Sequence, residues 1–139
     1  MAANTTPIFT LTPEVVTAEI AAANTARDGS GTLVTLVTAQ TDGTRVERIK
    51  FTSAQASAAA NSLMVCRVFV TDTSGANPRL IEEILLSAIT ASNTVIGSTA
   101  TITFVGGLIL KSGQLVRVSQ SVYAGVQDKV QVMAQVGHY

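Results

Sequence analysis

Hydrophobic and polar residues alternate along much of this chain. Near its end, Val130, Val132, Ala134 and Val136 share one face, and Lys129, Gln131, Met133 and Gln135 share the other. A period of two puts one set in a core and the other mostly in water, which predicts a strand. Thr99 to Val105 repeats the pattern, with Ala100, Ile102 and Phe104 inward and Thr99, Thr101 and Thr103 outward. Leu115 to Val122 turns Val116, Val118 and Val122 one way and Arg117, Ser119 and Ser121 the other. Thr32 to Ala39 and Thr44 to Ser53 flank Thr41-Asp42-Gly43. Asp-Gly suits a tight turn with positive φ, so the two runs read as a β-hairpin. Val46 falls out of phase with Ile49 and Phe51, and a bulge between them is one explanation.

Leu63 to Asp72 breaks the alternation. Met64, Cys66, Val68 and Val70 lie on one face and Leu63, Val65 and Phe69 on the other, interrupted only by Arg67 and Thr71. A strand apolar on both faces is covered twice, by the core and by another element or subunit. Arg79 to Thr90 reads as an extended strand after the turn Ser74-Gly75-Ala76-Asn77-Pro78. Ala54 to Asn61 suits either a helical turn or a small-residue loop, and the loop is the preferred reading. Ile8, Phe9 and Leu11 lie between Pro7 and Pro13, and two prolines argue against a central strand there. Residues 1–13 therefore read as an N-terminal arm and 14–139 as one domain. Seven or eight strands at intervals of roughly 10–15 residues point to an all-β fold, a single antiparallel β-sandwich. Eight strands in two sheets is the jelly-roll number, and an eight-stranded jelly roll is the expectation. Strand order itself does not follow from periodicity.

Composition narrows the function. The chain has 139 residues, one domain's worth. Hydrophobic residues make up 47% and charged residues 13%, which excludes a disordered chain. Nine basic and nine acidic residues give a formal net charge of zero, which argues against a nucleic-acid partner. The single cysteine, Cys66, rules out an intrachain disulfide and a multi-cysteine zinc site. No apolar run approaches the roughly 20 residues of a membrane helix, and no membrane partner is expected. The first residues do not read as a secretory signal, so the Asn4-Thr5-Thr6 glycosylation pattern is taken as accidental. The expectation is synthesis in a cytoplasm and assembly there into something larger.

The candidates for chemistry each have a plainer reading. His138 has no evident local partner except Tyr139, and a lone histidine makes no metal site. Cys66 shares a core face with Met64 and Val68, where a thiol is an inert small hydrophobe. Glu82 and Glu83 are adjacent, so on a strand they point to opposite faces and cannot flank one bond. Asp28-Gly29-Ser30-Gly31 lacks the lysine and helix of a phosphate loop, and Gly106-Gly107 with Lys111-Ser112 has the wrong spacing. Asp28, Asp42, Asp72 and Asp128 lie in or beside loops without the close spacing of a calcium loop. Arginines 27, 45, 48, 67, 79 and 117 are scattered, with no aromatic ladder beside them. No catalytic, cofactor-binding or metal-binding residue is assigned, and no cofactor is expected. The apolar surplus on one strand and on the arm calls for a partner surface instead.

The stretch Ala23-Asn24-Thr25-Ala26-Arg27-Asp28-Gly29-Ser30-Gly31-Thr32 leads into Val34, Val37 and Thr38, then Asp42-Gly43-Thr44-Arg45-Val46-Glu47-Arg48-Ile49. Together these residues resemble a group of small virion proteins of tailed bacteriophages. Arg67-Val68-Phe69-Val70 and the ending Gly137-His138-Tyr139 are also similar. Members of that group are jelly-roll proteins that decorate or cement the capsid, often as trimers. The resemblance implies a non-enzymatic virion structural protein on the capsid surface. It implies the major capsid protein and further copies of itself, as a homotrimer, for partners. Ile8, Phe9, Leu11, Leu63, Val65 and Phe69 are the expected capsid or subunit interface. The alternative is a receptor- or glycan-binding module of a phage fibre or tail, poorly supplied with aromatics. A small hydrolase ranks below both, since the sequence shows no nucleophile, base and orienter together.

Overall fold

The alternating runs pair into two sheets. The computed structural model describes residues 10–54 and 59–139. Its strands are β1 (Thr12–Ile20), β2 (Val34–Thr38), β3 (Thr44–Ser53), β4 (Met64–Val70), β5 (Arg79–Leu86), β6 (Thr99–Leu110), β7 (Leu115–Gln120) and β8 (Val130–His138). The first sheet has the order β1-β8-β3-β6 and the second β2-β7-β4-β5, and every strand pair is antiparallel. The two sheets pack face to face as a sandwich around one core. Only β4 and β5 are consecutive strands within one sheet, and every other connection changes sheet. That order fits jelly-roll winding.

The core is built as the alternation dictates. Val130, Val132, Ala134 and Val136 of β8 are buried, as are Val46, Ile49 and Phe51 of β3. They face Met64, Cys66 and Val68 of β4 and Val116 and Val118 of β7 within one apolar cluster. The phase break in β3 is a bulge: the ladders to β6 and β8 both shift register between Val46 and Arg48. Glu47 is the extra residue against β8, so Val46 and Ile49 both point inward. On the β6 side the irregularity is larger. Phe104, Val105, Gly106 and Gly107 stand opposite Glu47 alone, and Val105 is fully exposed at 100%.

Three expectations change. The Asp42-Gly43 turn forms, with Gly43 at φ 102°, but its flanking strands do not make a hairpin. β2 pairs with β7, while β3 pairs with β6 and β8. Turn chemistry fixes the reversal of the chain, not the partner, and two strands can share a core from opposite sheets. The arm boundary also moves, because β1 begins at Thr12 and Pro13 lies within it, opposite Gly137. β1 is an edge strand, where proline's missing donor costs no ladder bond. Finally, β5 ends at Leu86 and β6 runs to Leu110, beyond Val105. The Ala54 to Asn61 loop reading falls partly on residues 55–58, outside the described residues.

Two polar devices close the ends of the sandwich. Asp128, wholly buried, accepts the Ser62 N–H at 2.6 Å, the Ser62 hydroxyl at 3.0 Å and the Ala124 N–H at 2.7 Å. It thereby ties the entry to β4 to the loop before β8. In the β4–β5 turn, Asp72 Oδ1 accepts the N–H groups of Ser74 (2.9 Å) and Ala76 (3.0 Å) and the Ser74 hydroxyl, and Oδ2 accepts the Asn77 amide at 2.7 Å.

Two measurements follow from this packing. Burial pushes the Cys66 thiol up to about 12, so thiolate is scarce at pH 8. Thiol reagents at pH 8 should leave Cys66 unmodified in the folded protein and modify it fully in denaturant. Rapid labelling without denaturant would show that β4 opens. The Ser74 and Asn77 hydrogen bonds hold Asp72 down at about 2, against an ordinary 3.8. Its stabilising contribution is complete above pH 3.8 and is lost as the pH falls toward about 2. Asp72→Asn should therefore flatten the acid-side fall of the denaturation midpoint over that window, and equal slopes would remove the turn carboxylate from the linkage.

Candidate functional site

The outer face of β4 carries the apolar surplus, and the structure divides it in two. Met64, Cys66 and Val68 fill the core, so Leu63, Val65, Arg67 and Phe69 face outward. The chain between β1 and β2 folds back over half of this face. Ala23 bridges to Gln120, and the Asn24 N–H donates to the Gln120 carbonyl at 2.8 Å. Arg67 then donates to the Asn24 carbonyl (3.1 Å), and Arg117 to the Leu33 carbonyl (3.2 Å). These two arginines flank Phe69, one two residues before it and one opposite it on β7. Phe69 is completely buried, yet lies outside the main core cluster. It lies on the outer face of β4 between two arginines that hold the chain's own loop.

The loop is held in shape from within. Asn24 Nδ2 donates to the carbonyls of Ser30 (2.9 Å) and Thr32 (2.8 Å), and Oδ1 accepts the Ala26 N–H at 3.0 Å. Asp28 accepts the Ser30 N–H at 3.0 Å and its hydroxyl at 2.6 Å, forming a local turn. Glu83 of β5 is the anionic anchor. One oxygen accepts Arg67 Nε at 2.8 Å and Arg27 Nε at 3.1 Å, and the other accepts an Arg27 terminal nitrogen at 2.8 Å. The Arg67 contact first, then Arg27, holds the Glu83 carboxyl below its ordinary range. The phrase from Asn24 to Thr32 is thus a strap over its own sheet.

The other half of the face is open. Leu63 is 58% exposed and Val65 half-buried. Leu85 of β5 stands directly opposite Val65 and is 57% exposed. These three residues form the candidate interface. Of the residues expected there, Leu63 and Val65 lie together and Leu11 lies apart at the start of β1, 81% exposed. Ile8 and Phe9 are outside the described residues. Phe69 is a correction: its ring is completely buried within the chain's own fold and offers nothing to a partner. Leu85 was missed by sequence reasoning. Counting register outward from the Ser74–Pro78 turn points to Ile84 instead, because Ile81 is an extra residue in the β4–β5 ladder.

His138 is a second correction. It is the last residue of β8, and it is held on both sides of its ring. Nδ1 lies 2.8 Å from Thr44 Oγ1 on β3, and Nε2 lies 2.8 Å from Glu14 Oε2 on β1. A carboxylate only accepts, so Nε2 donates to Glu14, and in the neutral ring Nδ1 accepts the Thr44 hydroxyl. The Thr44 oxygen in turn accepts the Gln40 N–H at 3.0 Å. Hydroxyl, imidazole and carboxylate in line is the order of a nucleophilic triad. Thr44 is wholly buried, however, so its oxygen has no path to a substrate carbon. The array is a clasp across β1, β8 and β3.

Mutating the strap should separate its two arginines. The Arg67 side chain is 8% exposed and the Arg27 side chain 66% exposed. Arg67→Ala leaves Glu83 and the Asn24 carbonyl short of a donor and should cost on the order of 2–3 kcal/mol in urea denaturation. Arg27→Ala should cost less than about 1 kcal/mol. Equal costs would mean that the buried guanidinium does not anchor the strap.

No protein-family model matches this chain, and no curated protein matches it.

Proposed function

We propose that this protein is a virion structural protein that decorates the outer surface of a bacteriophage capsid and stabilises the head. The observation that carries the reading is the open apolar half-face of Leu63, Val65 and Leu85 beside a half sealed by the chain's own strap. A domain that roofs part of a sheet and leaves the adjoining part bare has a surface built to be covered. In this reading the bare half meets further copies of the chain in a homotrimer, and the arm with Ile8, Phe9 and Leu11 reaches the major capsid protein. The resemblance of residues 23–49 to phage decoration proteins supports the same assignment. Its mechanism is mass action. A protein that binds only the assembled shell stabilises it by its own binding free energy, repeated at every site. No catalytic residue enters this function.

Two experiments test it. Gold-labelled antibody on virions from the source should decorate the head. Label confined to the tail would favour a fibre or tail adhesion module, and no label would overturn the virion reading. In sedimentation equilibrium the protein should run at three times its 14.4 kDa chain mass. Leu63→Asp with Leu85→Asp should return it to one chain mass with the far-ultraviolet spectrum unchanged. A trimer that survives both substitutions would remove the patch from the interface.

A further inference from the structure

The chain's formal charge of zero is a sum over the whole molecule, and the outer face of the first sheet departs from it. Ile49 and Phe51 of β3 point into the core, so Arg48 and Lys50 point outward from the middle of that sheet. Arg48 is exposed and Lys50 half-buried. Arg48 stands between Gln135 and Thr103, and Lys50 between Met133 and Thr101, so no cross-strand neighbour of either is acidic. The other cations of this face are satisfied: Arg45 meets Glu47 at 2.7 Å, and Lys129 meets Glu19 at 3.2 Å. Among the described residues no carboxylate lies within ion-pair distance of Arg48 or Lys50. Two like charges about 7 Å apart on one strand repel, and the chain's own nine acidic residues leave them uncompensated.

A groove of about 400 Å³ opens on the same face. Thr17, Glu19, Thr52, Gln131 and Met133 line it, and Met133 is the cross-strand partner of Lys50. Hydroxyl and amide groups therefore surround the cations and leave room for side chains from a partner. At the far end the face is closed, because the Thr10 side chain lies against Gly137, where a Cβ would meet it at 2.6 Å. No aromatic side chain stands outward in the rows of Arg48 and Lys50, so the face offers no platform for stacked bases.

We propose that this face is where the protein meets the capsid shell, and that the shell presents acidic side chains to Arg48 and Lys50. The inference rests on the capsid reading and adds to it the docking face and the chemistry of the partner. Charge complementarity chooses the occupant. Carboxylates satisfy both cations, whereas the same face of a second copy would set cation against cation. A phosphate backbone calls for a longer run of cations than this pair. The face lies on the opposite side of the sandwich from Leu63, Val65 and Leu85, so a homotrimer formed through those residues leaves it free. Four strands and three rows of side chains give a face of about 400 Å². That is about half of what one partner buries in a stable complex, so one copy alone holds weakly and an oligomer holds through several faces at once.

The test uses the full chain and virion heads from which the protein has been removed. The unmodified protein should bind these heads, with an affinity that falls as salt is raised. Arg48→Glu with Lys50→Glu should weaken binding about tenfold or more at low salt. Arg79→Glu, a charge reversal at the exposed start of β5, should leave binding unchanged. Full binding by the double variant, or an equal loss with Arg79→Glu, would overturn the inference and leave the capsid reading standing. Failure of the unmodified protein to bind would remove the capsid reading and the inference with it. If the reversal variant fails to fold, Arg48→Gln with Lys50→Gln decides: a loss of about threefold or more supports the cationic face, and unchanged affinity rejects it.

Discussion

A buried guanidinium organises the outside of the second sheet. Arg67 interrupts an otherwise apolar row on β4, and a cation there must be neutralised within reach of its own strand. β5 supplies Glu83 directly opposite it, and the β1–β2 connection supplies the Asn24 carbonyl. Satisfying this charge fixes where the connection lies. On the same face Phe69, between the two arginines that hold the connection, is buried, and Leu63 and Leu85 are open. Around this one electrostatic requirement the face divides into a buried half and an open half.

The first sheet is organised by register. Its two central strands, β8 and β3, have regular inward faces, and Glu47 is the one extra residue between them. At the end of the sheet the His138 clasp joins β1 to β3 across β8 by side chains as well as by the ladder. Thr10 crosses the outside of the sheet at Gly137, so one corner gathers the chain's entry and its final strand.

What the sequence disclosed is what local chemistry determines. The period of two in β8 and the phase break at Val46 belong to neighbouring residues and could be read directly. The Asp42-Gly43 turn was legible as a turn, but its conversion to a hairpin assumed a partner that the turn does not choose. The partners of His138 lie 94 and 124 residues away, so no local pattern could announce them. Phe69 was legible as doubly covered, since Val65, Arg67 and Phe69 oppose a core face. Whether its second cover was a subunit or the same chain depended on the Arg67–Glu83 pairing, which is a tertiary contact. Leu85 went unnoticed because β5 is rich in leucine and isoleucine on both faces, and only register distinguishes them.

The swelling in β6 bears on edge-to-edge strand addition. β6 is an edge strand of 12 residues, long enough to recruit a strand from another molecule. Phe104 to Gly107 break its ladder into two short stretches, and Val105 stands fully exposed within the break. Edge-to-edge addition has no natural end point and leads to filaments, whereas contacts between side-chain faces can close on themselves. The interruption makes β6 a poor template for such open-ended addition.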